Sequence, residues 1–169
     1  MAARERSETV RSDRTSMELE GDRALVISRT FDAPARIVFD AWTKPELVRR
    51  WWAPKSRHVS VVSCEAEVRP GGKYRYVLRK DDGEEFAFSG KYTEVSPPTR
   101  LVYTHVFEAF PDAAAIITVT FEERDGKTLL LAREVYPSPE ARDGALASGM
   151  EDGMRETMDQ LDELVASLG

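Results

Sequence analysis

The central part of the sequence alternates between apolar and polar residues in segment after segment, and this pattern constrains the fold most. In the first segment Val62, Cys64, Ala66 and Val68 alternate with polar residues, a period of two that is typical of a half-buried strand. Further segments of this kind lie at residues 74–79, 86–95, 101–107, 116–123 and 128–136. Because short turns connect these segments, and parallel neighbours would need long crossovers, we predict an antiparallel meander.

Helical patterns flank this meander on both sides. Ala24–Phe31 is rich in β-branched residues and predicts a strand, after which Pro34 suits the first turn of a helix. A second short helix is predicted at Glu46–Trp51, because Pro45 ends the first. Pro139 then opens a segment whose apolar residues keep helical spacing to the end of the chain. This last helix would contain about 28 residues and be roughly 42 Å long.

The order of these elements predicts an α+β fold of the helix-grip type. A curved antiparallel sheet of six to seven strands would wrap around the long C-terminal helix, because only its concave face can cover the apolar stripe of that helix. Residues 1–21 are rich in charge and poor in large apolar side chains, which predicts a flexible tail that could join the sheet edge near Met17. The domain itself is predicted at residues 22–169.

Charge and composition exclude several classes of partner. The net charge of −6 gives no general attraction to nucleic acid or to an anionic membrane. No apolar run approaches the roughly 20 residues of a membrane span, and the N-terminus lacks the apolar stretch of a secretory signal. The only cysteine, Cys64, excludes an intramolecular disulfide and fits a reducing compartment. We therefore expect a cytoplasmic protein.

Several segments resemble one known family. They carry Asp32-Ala33-Pro34, the pair Trp51-Trp52, the turn Pro70-Gly71-Gly72 and the pair Pro97-Pro98. Over residues 23–168 the chain resembles the C-terminal domain of the activator of heat shock protein 90 ATPase, within the START-like superfamily that includes polyketide cyclases and pollen allergens. The resemblance implies the helix-grip fold and a pocket for an apolar ligand between the long helix and the sheet.

Chaperone activation is the function that this resemblance supports least. The eukaryotic activator carries a separate N-terminal domain that helps to engage the chaperone, and we do not expect residues 1–21 to replace it. We therefore rank a chaperone-interacting module third among the candidate functions, since a shared fold alone does not convey function.

Aromatic and methionine side chains give the strongest signal for a ligand pocket. Aromatic residues fall on alternate positions of neighbouring strands, and tyrosine hydroxyls can orient an apolar guest. Methionine adapts its shape to variable partners, and Gly149 and Gly153 would let the predicted helix bend or a ligand approach closely. Core packing is the simpler explanation for most of these residues. The predicted pocket residues are Trp51, Tyr74, Tyr76, Phe88, Tyr103, His105, Met150 and Met154.

Three residues are candidates for acid–base chemistry. His105 alternates with aromatic neighbours on its strand, so its ring would face the pocket and act as a base near neutral pH. Glu134 would complete a carboxylate–histidine pair if it faced the pocket beside His105. Tyr74 is the third candidate. The alternatives are a histidine satisfied in the core and a solvated carboxylate.

No cofactor or metal is expected. The sequence contains neither a Gly-x-Ser-x-Gly elbow nor a glycine-rich nucleotide loop, and its histidines and cysteine lack the short spacing of a zinc site. A binding protein for a small apolar or aromatic molecule therefore ranks first and a polyketide-cyclase-like enzyme second.

An exposed N-terminal edge strand would also favour pairing with a second copy of the chain. The sequence leaves the ligand open.

Overall fold

The computed structural model describes residues 14–168, in which eight strands form one antiparallel sheet. The strands are β1 (Ser16–Glu20), β2 (Ala24–Phe31), β3 (Val59–Ala66), β4 (Lys73–Lys80), β5 (Glu85–Ser96), β6 (Arg100–Phe107), β7 (Ala115–Arg124) and β8 (Lys127–Val135). Their order across the sheet is β1-β2-β8-β7-β6-β5-β4-β3. The last six strands form the predicted meander, and its final strand returns to pair with β2. The predicted fold class is confirmed.

Strand β1 adds one edge strand to the predicted sheet. It pairs antiparallel with β2, with Met17 opposite Ile27, and the Glu20 carboxylate accepts a hydrogen bond from Arg133 Nε at 2.9 Å. The sheet therefore has eight strands rather than six to seven. The N-terminal segment joins the sheet edge at Met17, the position that the sequence suggests, and residues 1–13 of the predicted tail lie outside the described residues.

Two short helices connect β2 to β3, as predicted. They are α1 (Ala35–Thr43) and α2 (Pro45–Val48), and two further helices follow the meander, α3 (Pro139–Ala147) and α4 (Met150–Leu168). Each of α2 and α3 begins at a proline, whose fixed φ and missing N–H suit the first helical position. Among the described residues, no helix is both long and apolar enough to cross a membrane.

The long C-terminal helix is shorter than predicted, because the segment from Pro139 is not one continuous helix. Helix α3 ends at Ala147 and the 19-residue α4 begins at Met150. Gly149 between them has a φ of +81°, in the left-handed region that residues with side chains rarely adopt. The chain therefore turns between α3 and α4.

Helices α1 and α4 pack against the sheet over a core built from alternate strand positions. The fully buried residues of this core include Leu25, Phe31, Val38, Leu101, Val119, Phe121, Leu130, Leu161 and Val165. Burying each such side chain stabilises the fold by about 1.5–3 kcal/mol relative to its exposed state.

Arg29 of β2 joins the sheet to α4. Its side chain is 2% exposed, and its guanidinium donates to Asp162 Oδ2 at 2.6 Å, to Asp159 and to Thr15 Oγ1. A buried charge is tolerated when it is paired and hydrogen-bonded, so these contacts fix α4 on the sheet.

Candidate ligand-binding site

An aromatic cluster lies between α1, the segment after α2 and the inner faces of β4, β5 and β6. It surrounds a cavity of about 20 Å³. That volume is about the room that one water molecule needs. The residues that line it are Trp42, Trp52, Tyr74, Tyr76, Tyr92, Tyr103 and His105. All four tyrosines are buried, so the cavity is nearly filled by their rings.

Gly90 lets the Tyr74 side chain reach across β5. Tyr74 on β4 lies opposite Gly90 of β5. A Cβ at position 90 would lie 2.6 Å from the Tyr74 ring and 1.8 Å from the carbonyl oxygen of Thr104 on β6. Only glycine fits there, and the Tyr74 hydroxyl crosses it to donate to the Thr104 carbonyl at 2.9 Å.

Tyr74 and His105 form the polar centre of the site. The Tyr74 Oη lies 2.7 Å from His105 Nδ1. Because the Thr104 carbonyl can only accept, it takes the hydroxyl proton, and Nδ1 of a neutral His105 then donates to the Tyr74 oxygen. Nε2 of His105 is left as an acceptor. Nε2 has no hydrogen-bond partner among residues 14–168, and the His105 side chain is partly buried.

Burial sets the protonation states of this centre. Desolvation lowers the pKa of His105 to about 4, so its ring is neutral at pH 7. Desolvation also raises the pKa of Tyr74 far above its ordinary value and that of Tyr92 to about 12. At neutral pH the site therefore offers uncharged hydrogen-bonding groups rather than ions.

His105 lies within a stack of aromatic rings. Its plane is within 5° of the Phe88 ring at a centroid distance of 5.3 Å, and within 12° of the Tyr74 ring at 6.3 Å. Phe107 continues the stack 5.0 Å beyond Phe88. Trp52 packs against Phe88 at 71°, with centroids 4.9 Å apart, in the edge-to-face arrangement that aromatic pairs prefer. Trp52 thus forms one wall of the cavity, at a steep angle to the stack.

Of two neighbouring tryptophans, Trp52 rather than the predicted Trp51 lines the cavity. Trp51 is 2% exposed and its indole N–H donates to the Ala41 carbonyl at 2.8 Å, so it belongs to the core. The side chain of Trp52 is only partly buried. The backbone N–H groups of Trp51 and Trp52 both donate to the Val48 carbonyl just after α2, and consecutive side chains point in different directions, so the predicted Trp51 faces the core while Trp52 faces the cavity.

The two predicted pocket methionines of α4 do not line the cavity either. Met154 packs against the core and Met150 is half-buried at the start of α4. The cavity therefore lies between α1 and the strands, not beneath the C-terminal helix. Tyr74, Tyr76, Tyr103 and His105 line the cavity and Phe88 stacks beside it, while their role in ligand binding stays a prediction.

Glu134 does not pair with His105. It lies on β8 opposite Leu25 and Ile117, and it accepts a hydrogen bond from the Tyr136 hydroxyl at 3.1 Å. Desolvation raises the pKa of Glu134 to about 7. The predicted carboxylate–histidine pair is not formed.

Sequence reasoning missed Trp42 and Tyr92 as lining residues, and of the pair Trp51-Trp52 it chose Trp51 rather than Trp52. Tyr92 lies on the same face of β5 as Phe88 by simple alternation, so the sequence pattern could have predicted it as a lining residue. Trp42 lies on the apolar stripe of α1, and its indole N–H donates to the Tyr103 hydroxyl at 3.3 Å. The position of Trp52 depends on an irregular segment and carries no periodic signal.

Other groups in the described part of the chain do not extend this site. Between residues 14 and 168, no three His, Cys, Asp or Glu side chains lie close enough together to hold a metal ion. Cys64 of β3 is half-buried, and desolvation raises its pKa to about 11, which makes its thiol unreactive. A separate groove of about 480 Å³ lies between α1 and the turn at Pro97-Pro98.

Comparison with known families identifies the chain. The family described as activator of Hsp90 ATPase homolog 1-like protein matches residues 32–166. The chain belongs to this family. The match confirms the resemblance seen in the sequence. No curated protein matches the chain.

Solved structures similar to this member of the family come from several bacteria. A Rhodobacter sphaeroides protein is 25% identical, with a TM-score of 0.84, over 90% of this chain and 99% of that one. A Mycobacterium smegmatis protein is 29% identical, with a TM-score of 0.76, over 89% and 95% of the two chains. A Staphylococcus epidermidis protein is 28% identical, with a TM-score of 0.77, over 91% and 95%.

Proposed function

We propose that this family member binds a small, uncharged, apolar or aromatic molecule in the aromatic cluster. The observation that carries the proposal is the Tyr74–His105 hydrogen bond of 2.7 Å inside a wall of aromatic rings. Ligand sites are typically apolar with a few placed polar groups, and this arrangement has that character. Family membership supports a ligand-binding or related function in general.

The free nitrogen of His105 is a hydrogen-bond acceptor, so the site favours a ligand that carries a hydrogen-bond donor. His105 is neutral at pH 7 and its Nδ1–H is directed at the Tyr74 oxygen, so Nε2 presents a lone pair. A hydroxyl or N–H on an aromatic ring matches that acceptor. An ionic ligand is disfavoured, since a charge in this desolvated site would have no partner of opposite sign among the lining residues.

The same groups support binding better than acid–base catalysis. A base with a pKa of about 4 accepts a proton poorly at pH 7, where catalytic bases work best with a pKa near the operating pH. The Tyr74 hydroxyl stays protonated, and Glu134 bonds to Tyr136 instead of His105. The polyketide-cyclase-like alternative therefore ranks second.

We also propose a cytoplasmic location and no membrane partner.

A homodimer through β1 stays a prediction, and the charges of Glu18 and Glu20 on this short edge strand weigh against it. Light scattering after size exclusion measures the mass and decides between one copy and two. No chaperone contact is part of the proposal.

Binding is tested by titrating the protein with naphthalene, 2-methoxynaphthalene and 2-naphthol, followed by calorimetry. All three should bind saturably, and 2-naphthol should bind roughly fivefold more tightly, the effect of one net hydrogen bond. In His105→Phe the preference for 2-naphthol should disappear. The variant Phe110→Ala is a matched control, because Phe110 is 65% exposed and lies outside the cavity lining. If none of the three compounds bound, the proposal would be wrong.

A further inference from the structure

We infer that Gln160 and Glu156 of α4 are positioning residues that hold Trp52 over the aromatic cavity and so control ligand entry. The inference rests on the proposed function. The segment that they hold, residues 52–57, is named the latch. A cavity of about 20 Å³ is far too small for an aromatic molecule, so a lining side chain must move before a ligand can enter.

Trp52 is the lining tryptophan with the weakest attachment. The indole N–H of Trp42 donates to Tyr103, and that of the neighbouring Trp51 donates to Ala41. The indole N–H of Trp52 has no acceptor among residues 14–168, and its side chain is only partly buried. Ring contacts with Tyr76, Phe88 and His105, apolar packing against the core and the main chain hold the Trp52 ring in place. Movement of Trp52 therefore breaks no side-chain hydrogen bond.

Gln160 holds the main chain on both sides of Trp52. Its Nε2 donates to the carbonyl oxygens of Trp51 at 2.9 Å and of Ala53 at 2.8 Å. Its Oε1 accepts from the backbone N–H of Lys55 at 3.0 Å. Both ends of one amide side chain are thus used on the latch, which fixes the direction in which Trp52 leaves the backbone.

Glu156, one helical turn earlier, holds the far end of the latch. Its carboxylate accepts hydrogen bonds from the backbone N–H of Ser56 at 2.8 Å and from the Ser56 hydroxyl. Residues four apart lie on the same face of a helix, so Glu156 and Gln160 act on one continuous stretch of chain.

Arg57 closes the latch against the two glycines of the C-terminal segment. Its guanidinium donates to the Gly149 carbonyl at 2.8 Å, and a Cβ on Gly153 would lie 3.3 Å from Arg57 Cζ. The close approach that the sequence predicts at these glycines is therefore made by Arg57, not by a ligand. The latch is attached to α4 mainly by exposed polar contacts, and such contacts break in local opening more readily than a buried core does.

The test compares wild-type protein with Gln160→Ala and Glu156→Ala, using Glu163→Ala as the control. Glu163 is an exposed residue of α4 with no hydrogen bond to the latch. Amide hydrogen exchange of Lys55 and Ser56 reports latch opening without any ligand. The rate at which 2-naphthol quenches tryptophan fluorescence in stopped flow reports entry. In both latch variants each rate should rise about fivefold or more, as expected for loss of one or more hydrogen bonds, and neither should change in Glu163→Ala.

The outcomes separate this inference from the function on which it rests. Faster exchange together with faster quenching supports the latch. Faster exchange with an unchanged quenching rate shows that the latch does not control entry, while the binding function stands. Unchanged exchange shows that the two side chains do not hold the latch. If wild-type protein binds no naphthalene derivative, the proposed function fails and the latch has no role in entry.

Discussion

The hydroxyl of Tyr74 lies 2.7 Å from Nδ1 of His105, although the two residues belong to strands β4 and β6 and β5 runs between them. The contact exists because Gly90 of β5 has no side chain at the point of crossing. The polar centre of the site thus depends on a glycine that itself makes no polar side-chain contact.

Substitution of this glycine should therefore destabilise the fold. In Gly90→Ala the new methyl group would lie 1.8 Å from the Thr104 carbonyl oxygen, so the strand or the Tyr74 ring must move. We expect the free energy of unfolding to fall by about 2–3 kcal/mol, typical of overpacking. Urea denaturation measures the change. Gly144→Ala is the control, because no atom lies within 4 Å of the new Cβ in α3, and it should be neutral or stabilising.

His105 should make stability depend on pH between its two pKa values. Folding lowers its pKa from 6.5 to about 4, so in that window the unfolded chain binds more protons than the folded one. The neutral His105 ring therefore contributes fully to the free energy of unfolding above pH 6.5, and this stabilising contribution is lost as the pH falls towards 4. We expect a loss of roughly 2 kcal/mol across this window, and a flatter profile for His105→Phe in urea titrations.

A control for the loss of a histidine is His58→Asn. His58 is exposed and has a φ of 55°, which asparagine tolerates better than most residues. His58→Asn measures what the loss of a surface histidine, with its 3.7 Å contact to Asp81, does to the profile. If His105→Phe kept the full wild-type slope between pH 4 and 6.5, the neutral state assigned to His105 would be wrong.

The sheet could be predicted from sequence because its signal is local. Alternation assigns Tyr74, Tyr76, Tyr103 and His105 to the inner face, and short turns fix the antiparallel order. Gly90 can also be read in the sequence, but only the register of the strands shows that it lies between Tyr74 and Thr104.

The placement of the helices could not be predicted in the same way. Periodicity assigns Met154 to the apolar face of its helix, but it does not give the position of that helix on the sheet. The break at Gly149 depends on a backbone angle, and Trp52 is positioned by Gln160, more than 100 residues later in the chain. Such long-range contacts leave no pattern in the local sequence.

Glu134 should produce a pH dependence of opposite sign to that of His105. Folding raises its pKa from 4.5 to about 7, so its favourable contribution is present below pH 4.5 and is lost as the pH rises through 7. Glu134→Gln keeps an acceptor for the Tyr136 hydroxyl and removes the buried charge. We expect this variant to be more stable than the wild type by roughly 2 kcal/mol at pH 8, with little difference at pH 4. Thermal unfolding at both pH values checks it, and Glu163→Gln serves as an exposed control that should show neither effect.

The attachment of α4 to the sheet should depend much more on Arg29 than on exposed ion pairs of similar geometry. Arg29→Met leaves Asp162, which is 21% exposed, with the more distant Arg14 at 3.3 Å, and it removes the bonds to Asp159 and Thr15. Loss of one partner of a buried pair costs about 3 kcal/mol, whereas an exposed pair contributes at most about 1 kcal/mol. Arg133→Met breaks the exposed pair with Glu20 at 2.7 Å and is the matched control on the adjacent strand. Urea denaturation should show a loss for Arg29→Met at least twice that for Arg133→Met. Equal losses would mean that burial of Arg29 adds nothing to the attachment of α4.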